Sequence, residues 1–329
     1  MKWPAILGIL IGLGLAITLI AANDVGKILA ALVGAGWGIL LVIVLRLPQT
    51  IASALGWRAL VAEPGPNIAV FTGLRWIREA VNNLLPVAGV GGDVVRARLL
   101  ALQGVSLKGA SASAAVDLSV EMASQIVFAL MGVGMLLLYR PGVDTLGWVL
   151  GVIGVGAVIA GSFMLSQRFG LFKLVEKTLV AASEKAGWAA LGDISGLHEA
   201  VVALYRSPGR FLHSGAWHMA SWFFGVLELW AALHVLGVEA GWREALIIES
   251  LGQAIRGAAF AVPGALGVQE GGYVLVCALF GIPPQQAIAL SLIRRIRDLV
   301  LGVPALIVWQ RIEGRMFARR AAASEAAPS

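Results

Sequence analysis

The sequence predicts an all-α polytopic membrane protein with an inverted repeat, two re-entrant helical hairpins and about six full transmembrane crossings. Three observations predict this fold: the composition, a broken apolar segment that occurs twice, and an uneven distribution of Lys and Arg. Hydrophobic residues make up 59% of the 329 residues and charged residues only 13%, and the mean hydropathy is +0.85. Soluble domains average about 25% charged residues, so an ordinary water-soluble domain is excluded.

Six apolar runs are long enough to span about 30 Å of hydrocarbon, which takes about 20 helical residues. The predicted crossings are residues 3–22, 28–47, 110–138, 145–166, 211–236 and 285–310. The first run follows Lys2 and lacks a clear small-x-small cleavage site. We therefore interpret it as an anchored helix and not as a removed signal peptide.

An apolar segment broken by Pro and Gly occurs in residues 67–103 and again in residues 243–281. A shift of 177 residues places Pro86 of the first segment on Pro263 of the second. The same shift aligns acidic residues, Asp93 with Glu270 and Glu121 with Asp298. Paired broken segments are typical of transporters that bind their substrate near the bilayer midplane. Because breaks at membrane depth need cover from protein or a wet cavity, each segment is predicted to enter and leave on one side.

The Lys and Arg residues predict which side each segment faces. They follow the second, fourth and sixth crossings and flank the first hairpin, at Arg46, Arg58, Arg75, Arg78, Arg96, Arg98, Lys108, Arg168, Lys173, Lys177, Arg311, Arg315, Arg319 and Arg320. Since cytoplasmic loops carry the excess of cations, both termini are predicted to be cytoplasmic and the first hairpin to enter from the cytoplasm. Three crossings separate the hairpins, so the second hairpin must enter from the outer face and the repeats are inverted.

These assignments predict one integral-membrane domain over residues 1–320. Repeat one covers about residues 67–139, and repeat two covers about residues 243–315. Residues 170–210 carry apolar side chains at helical spacing between charged ones, which predicts a cytoplasmic amphipathic segment. Residues 321–329 are small and polar, so a disordered tail is expected there.

Charged residues inside the predicted crossings are candidates for function, because each costs about 2.5–3.5 kcal/mol to insert. Asp117 and Glu121 lie four residues apart and therefore on one helix face. Arg294, Arg297 and Asp298 lie in the aligned crossing of the second half. Two interpretations stay open. The acidic face of one repeat meets the basic face of the other, or these charges lie near the surface and snorkel.

Residues around the two breaks form a second set of candidates. They are Glu79, Asn82, Asn83, Pro86, Gly91, Gly92, Asp93, Arg96 and Arg98 in the first segment, and Arg256, Pro263, Gly267, Gln269 and Glu270 in the second. Freed N–H groups and helix N-termini attract phosphate or carboxylate. Arg96 or Arg98 could bind such an anion bidentately. Alternatively, the glycines only allow close packing between the hairpins.

The sequence contains no P-loop, dinucleotide-binding turn, nucleophile elbow or HExxH pattern. His213, His218 and His234 lack metal-ligand spacing with acidic residues or cysteine. We therefore predict no cofactor, no metal and no nucleic-acid partner. Glu228 in the fifth crossing is a candidate proton carrier.

The chain resembles the flippase-like membrane family in three motifs: EAVNNLLP at 79–86 with GGDVVR at 91–96, VDL at 116–118, and PGALGVQEGG at 263–272. That family is similar to the transmembrane flippase region of lysylphosphatidylglycerol synthases. The resemblance covers about residues 3–315 and is strongest to its hopanoid-biosynthesis-associated members. It implies an inner-membrane lipid translocator or an accessory of hopanoid metabolism, with a membrane lipid as cargo and hopanoid-biosynthesis enzymes as expected partners. No aminoacyl-transfer domain is recognisable in this sequence, so that reaction is not expected of it.

The expected function is the movement of an amphiphilic lipid between leaflets, either downhill or coupled to protons. The cargo is expected to be hopanoid-, polyprenyl- or phospholipid-related. The inner side would be lined by Glu79, Asn83, Asp93, Arg96 and Arg98, the outer side by Arg256, Gln269 and Glu270, and the middle by Asp117, Glu121, Arg294, Arg297 and Asp298. One alternative is a membrane enzyme that modifies a lipid head group with Asp93 and Glu121 as acid and base. A second is a non-catalytic scaffold for hopanoid enzymes.

Overall fold

The computed structural model describes residues 13–85, 91–139, 147, 154, 196–258 and 265–325, with side chains up to residue 315. Throughout this part of the chain the regular structure is helical, without strands, which confirms the all-α prediction there. The helices are α1 (Leu13–Ala21), α2 (Val25–Ala35), α3 (Gly38–Leu60), α4 (Ile68–Leu84), α5 (Gly91–Ala101), α6 (Leu107–Tyr139), α7 (Leu197–Tyr205), α8 (Pro208–Val235), α9 (Trp242–Ala258), α10 (Val268–Ala278) and α11 (Pro284–Glu325).

Two helices, α3 and α6, are long and apolar enough to cross a membrane, and α1 with α2 would add a third span if that pair, bent by 96°, counts as one. The helices α8 and α11 have the length, with 28 and 42 residues, but carry charged residues such as Glu228 and Arg294. The predicted crossings 110–138, 211–236 and 285–310 correspond to α6, α8 and α11. The run 145–166 lies outside the described residues apart from residues 147 and 154, so the number of crossings stays a prediction.

The predicted crossing 28–47 is wrong as a single helix. The chain turns at Gly36, whose φ of +46° lies in the left-handed region that favours glycine. Helix α3 then begins at Gly38, where an added Cβ would lie 2.6 Å from the side chain of Val235 on α8. Helix α3 also continues beyond residue 47, to Leu60. Polar side chains of this extension are buried against the protein, and Ser53 donates a hydrogen bond to Ser221 of α8.

The helix boundaries recur with the 177-residue shift. It superposes the bounds of α5 on those of α10, and it places Leu107, the first residue of α6, on Pro284, the first residue of α11. Helices α4, α5 and α6 pack in succession, as do α9, α10 and α11. We call α3–α6 the first half and α8–α11 the second half. The chain between α4 and α5, which includes Pro86, and the chain around Pro263 lie outside the described residues.

Helices α3 and α8 pack against each other along most of their length. Gly38 lies against Val235, Gly56 lies against His218, and Gly225 approaches the side chain of Gln49. Because residue numbers fall along α8 as they rise along α3, the two helices are antiparallel. The antiparallel pair forms the centre of the described structure, with α4 packed on α3 and α6 and α9 packed on α8.

The two halves also meet where α4 packs on α11 and where α6 packs on α9. Trp76 donates a hydrogen bond of 2.8 Å to the carbonyl of Leu301, and Gln125 donates one of 2.7 Å to the carbonyl of Gln253. A Cβ added at Gly302 would lie 3.6 Å from Ala80, and one added at Gly257 would lie against Gln125. With the 177-residue shift, Ala80 aligns with Gly257 and Gln125 aligns with Gly302. The contact of Ala80 with Gly302 is therefore the counterpart of the contact of Gly257 with Gln125, as expected across a two-fold axis.

Helix α7 lies within the predicted amphipathic segment and packs on α6. Its apolar side chains Leu197, Val201 and Leu204 are buried, whereas His198 and Glu199 are exposed. Residues 197–205 therefore form a helix with one buried apolar face and exposed polar side chains. Residues 170–195 lie outside the described residues, and the cytoplasmic side of the segment stays a prediction.

The loop between α3 and α4 is joined to the start of α6 by the exposed carboxylate of Glu63. This carboxylate accepts hydrogen bonds from the hydroxyl of Ser106 at 2.5 Å and from its backbone N–H at 2.8 Å, and both lower the pKa of Glu63 below its ordinary value. A lowered pKa in the folded state adds stability above the unfolded pKa, and this contribution is lost as the pH falls through the folded pKa.

We therefore expect the wild type to melt at a higher temperature than Glu63→Gln at about pH 6, with the difference shrinking as the pH falls through the lowered pKa of Glu63. Thermal unfolding of both proteins in detergent over this range measures the effect. Glu239→Gln, an exposed position between α8 and α9, is the matched control, and it should melt close to the wild type. An unchanged gap at low pH would contradict the assignment.

Candidate functional site

Four arginines and four carboxylates form an ion network in the first half. They are Arg46, Arg75, Arg78 and Arg96 with Glu79, Asp93, Asp117 and Glu121. Each carboxylate contacts two guanidinium groups, and the formal charges sum to zero. Such pairing is what makes charged groups tolerable away from water, since a buried carboxylate without a cation would be strongly destabilising.

Asp117 is at the centre of this first network and is fully buried, at 0% exposure. It accepts a hydrogen bond of 2.6 Å from Arg96 and a longer one of 3.4 Å from Arg75. Its other oxygen lies 2.8 Å from Nε2 of His218 on α8. Arg96 is also fully buried and lies over the ring of Trp57, 4.5 Å from its centre. The carboxylate of Asp117 therefore connects α4, α5 and α6 to α8.

Glu121 lies one helical turn further along α6 and faces α4. It accepts hydrogen bonds from Arg75 at 2.5 Å and from Arg78 at 3.1 Å. Arg78 also contacts Asp93 of α5 at 3.1 Å, and Asp93 contacts Arg96 at 2.8 Å. These contacts fix the two arms of the first broken segment against α6.

A second ion network lies in the second half. It comprises Arg256, Arg294 and Arg297 with Glu228, Glu249 and Asp298. Arg294 contacts Glu249 at 2.7 Å and donates a hydrogen bond of 2.6 Å to the hydroxyl of Tyr273. Arg297 bridges Glu228 of α8 and its neighbour Asp298, which it contacts at 2.7 Å. This network also has three cations and three anions.

The prediction that Asp117 and Glu121 pair with Arg294 and Arg297 is wrong. Asp117 and Glu121 pair with arginines of α4 and α5, and Asp117 also contacts His218 of α8. Arg294 pairs with Glu249 of α9, and Arg297 pairs with Glu228 of α8. The snorkelling alternative does not fit either, since Asp117, Arg294 and Arg297 are at most 1% exposed within the protein.

Glycine and amide groups shape the first break. The backbone N–H of Gly92 donates a hydrogen bond of 2.8 Å to the side chain of Asn82. A Cβ at Gly92 would collide with the carbonyl of Arg78, so only glycine fits there. Gly91 begins α5, and Gly267, whose φ is +74°, precedes α10. Gly92 therefore allows close packing of α5 on α4 within the first segment, and close packing between the two hairpins stays a prediction.

A cleft of about 310 Å³ opens between α3, α4 and α11. Its polar wall is formed by Arg46, Thr50, Glu79, Asn83 and Asp298. The remaining wall is mainly apolar, with Leu47, Ile51, Trp76 and Leu301. Arg256 reaches the polar end from behind, where it donates a hydrogen bond of 2.9 Å to Asn83. The cleft thus combines both halves of the chain, and the predicted site residues Glu79, Asn83 and Asp298 meet there.

Other predicted residues do not line this cleft. Glu270 contacts Arg295 at 3.1 Å, and Gln269 donates a hydrogen bond to Ser291, which also bonds to Glu270. Arg98 pairs with Glu313 of α11. Arg96, Asp93, Asp117 and Glu121 support the cleft from the network behind Glu79 instead of facing it. The roles of all these residues in binding stay predictions.

Sequence reasoning missed several members of the two networks. Arg46, Arg75 and Arg78 were interpreted as cations beside the membrane, but they are in the first network, and Arg75 is 2% exposed. The spacing of Arg75 and Glu79, four residues apart, was a usable signal. Glu249 stands alone in an apolar run, and nothing in the sequence pairs it with Arg294. The same holds for His218 and Asp117. The prediction that both termini are cytoplasmic therefore depends on fewer exposed Lys and Arg residues, because Arg46, Arg75 and Arg78 are in the first network.

Long apolar helices, broken helices with aligned bounds and buried neutral ion networks define this chain as a helical integral membrane protein. No group of three or more His, Cys, Asp or Glu side chains among the described residues could hold a metal ion. Residues 5–305 match the family described as the lysylphosphatidylglycerol synthase TM region, and the chain belongs to that family. Comparisons with curated proteins and with solved structures give no match.

Proposed function

We propose that this protein moves an amphiphilic lipid between the two leaflets of the membrane. The cleft between α3, α4 and α11 is the observation that carries this proposal. It presents charged groups at one end and apolar side chains along the rest, which suits a head group inside the protein with acyl chains alongside it. The family, which takes its name from the membrane region of an enzyme of lipid metabolism, supports a role in lipid handling.

The two halves would be related by a pseudo-two-fold axis in the membrane plane, as an inverted repeat. Three observations support this relation: the 177-residue shift of helix bounds, the antiparallel packing of α3 on α8, and the reciprocal contacts at Gly302 and Gly257. In transporters of this construction one half rocks against the other around a fixed site. The two broken segments would then be the re-entrant hairpins, one entering from each face, in a protein of about six crossings.

The proposed location is the inner membrane, with both termini in the cytoplasm. Hopanoid-, polyprenyl- and phospholipid-related amphiphiles are the candidate cargoes, and hopanoid-biosynthesis enzymes are the candidate partners. Movement would be downhill or coupled to protons. If movement is coupled to protons, Glu228, Asp117 and His218 are the candidate groups for proton exchange, since all three are buried and Asp117 contacts His218.

Reconstitution into vesicles that carry an acyl-labelled phospholipid tests the proposal. Chemical quenching of the outer leaflet then measures how fast label arrives from the inner leaflet. We expect protein-dependent exchange without any change in the lipid. Formation of a modified lipid would favour the enzyme alternative. If neither exchange nor a modified lipid is observed, the scaffold alternative is favoured.

Filling the cleft should stop this exchange. Gly73 of α4 lines the cleft and has no atom within 4 Å of an added Cβ, so Gly73→Phe starts its side chain in open space and is expected to fill the cleft. We expect at least about a tenfold slower exchange, since misplacing a bound group by an ångström already costs up to about a hundredfold. Gly314→Phe on α11, also in open space and exposed, is the matched control. Equal rates for the two variants would place the pathway elsewhere.

A further inference from the structure

Two carboxylates and one guanidinium group line the polar end of the cleft, and a second guanidinium group lies next to it. Arg46 and Glu79 are 15% and 14% exposed, and Arg256 and Asp298 are 21% and 9% exposed. By contrast, Arg96 and Asp117 behind them are not exposed at all. Arg46, Glu79 and Asp298 line the cleft, and Arg256 lies beside the lining residue Asn83, so a molecule in the cleft can approach all four groups. Their formal charges sum to zero.

The two guanidinium groups are the least neutralised ones in their networks. Arg46 contacts one carboxylate, Glu79 at 2.9 Å, whereas Arg75, Arg78 and Arg96 each contact two or more. Arg256 has its nearest carboxylate, Asp298, 4.0 Å away. That carboxylate already binds Arg297 at 2.7 Å, so the short contact of Arg256 is to the neutral amide of Asn83. Both arginines retain donors for an incoming anion.

The carboxylates would be released by such an anion. A phosphate that binds Arg46 and Arg256 competes with Glu79 and Asp298 for the same N–H donors. Glu79 would keep Arg75 and Asp298 would keep Arg297, but the bound phosphate would add one net negative charge to the site, which is unfavourable away from water. A head group that brings its own ammonium supplies a compensating cation, whereas a purely anionic head group leaves one negative charge uncompensated.

Resting on the proposed transport function, we propose that the cleft selects lipids with a zwitterionic head group. The phosphate would bind Arg46 and Arg256, and the ammonium would bind Glu79 and Asp298. The cleft volume of about 310 Å³ is at the lower end for sites that hold small molecules, so it admits a head group but not the acyl chains as well.

The test compares acyl-labelled phosphatidylethanolamine, phosphatidylcholine and phosphatidylglycerol in the same vesicles. We expect the two zwitterionic lipids to exchange at least about tenfold faster than phosphatidylglycerol, which corresponds to a free-energy difference of about 1.4 kcal/mol. Equal rates for phosphatidylglycerol and phosphatidylethanolamine would overturn the inference while leaving lipid transport intact.

Binding separates a failure of selectivity from a failure of transport. Dihexanoyl forms of the same lipids are added to the purified protein in detergent, and the shift in melting temperature is measured. Selective stabilisation by the zwitterionic forms, with no exchange in vesicles, supports the site and rejects the proposed transport. Without exchange and without selective stabilisation, both proposals fail.

Removing one carboxylate tests the charge balance directly. Glu79→Gln leaves Arg46 without a carboxylate partner and gives the cleft a net positive charge. We expect the preference to shift by at least about tenfold towards phosphatidylglycerol. Glu239→Gln, on an exposed loop, should keep the wild-type order. If Glu79→Gln slows all three lipids equally, charge balance does not determine selection.

Discussion

Asp117→Leu is expected to cost about 3–5 kcal/mol of folding free energy, the range seen when one partner of a buried ion pair is removed. The substitution leaves Arg96, which is fully buried, with Asp93 as its remaining carboxylate. It also removes the hydrogen-bond partner of His218. Thermal unfolding and recovery of the purified protein in detergent measure the loss.

A double variant distinguishes lost charge balance from lost packing. Asp117→Leu with Arg96→Met removes both charges, so we expect it to be clearly more stable than Asp117→Leu alone. Glu239→Leu serves as the exposed single-charge control and should stay close to the wild type. If Asp117→Leu melts within a degree or so of the wild type, the network does not bear on stability as argued.

A disulfide between α4 and α11 is expected to block lipid exchange reversibly. A Cβ at Gly302 would lie 3.6 Å from Cβ of Ala80, within the range of about 3.5–4.5 Å found in disulfides. Both residues line the cleft, and they belong to different halves. Ala80→Cys with Gly302→Cys, in a Cys277→Ala background, should lose at least about tenfold in exchange rate on oxidation. Reduction should restore it.

The controls are the two single-cysteine proteins under the same oxidant, which should keep their rates. The side chain of Leu84 must rotate to admit the new cysteine, since its Cδ1 lies 2.5 Å from the added Cβ. The reduced double variant therefore provides the baseline. Complete cross-linking without loss of exchange would show that α4 and α11 need not separate.

The recurrence of the helix bounds was predictable from sequence because Pro and Gly act locally. Helix α5 begins five residues after Pro86 in the sequence, and α10 begins five residues after Pro263. A proline restricts its own backbone and removes a donor wherever it stands, so its effect needs no tertiary contact. The division of residues 28–47 at Gly36 was missed, because an isolated glycine in an apolar run predicts a turn only weakly.

The partners of the charged residues could not be predicted in the same way. Arg294 contacts Glu249, which lies 45 residues earlier in the chain, and Asp117 contacts His218, 101 residues later. Sequence spacing carries no information on such distances, except for local pairs such as Arg75 with Glu79. Of the cleft residues, Glu79, Asn83 and Asp298 were predicted because they flank a break or share a helix face with other charges. Arg46 was assigned to a loop surface instead.

Each ion network balances its own charges within one half of the protein, and the surface between the halves carries few ion pairs. In the described residues, Arg98 with Glu313 and His218 with Asp117 are the pairs that cross it. The other contacts across this surface include hydrogen bonds to carbonyl groups and apolar packing, such as Ala305 and Trp309 of α11 against the core cluster that contains α4. Sliding one half past the other therefore separates few opposite charges. Electrostatics would penalise unfolding of either half far more than a change in their mutual angle.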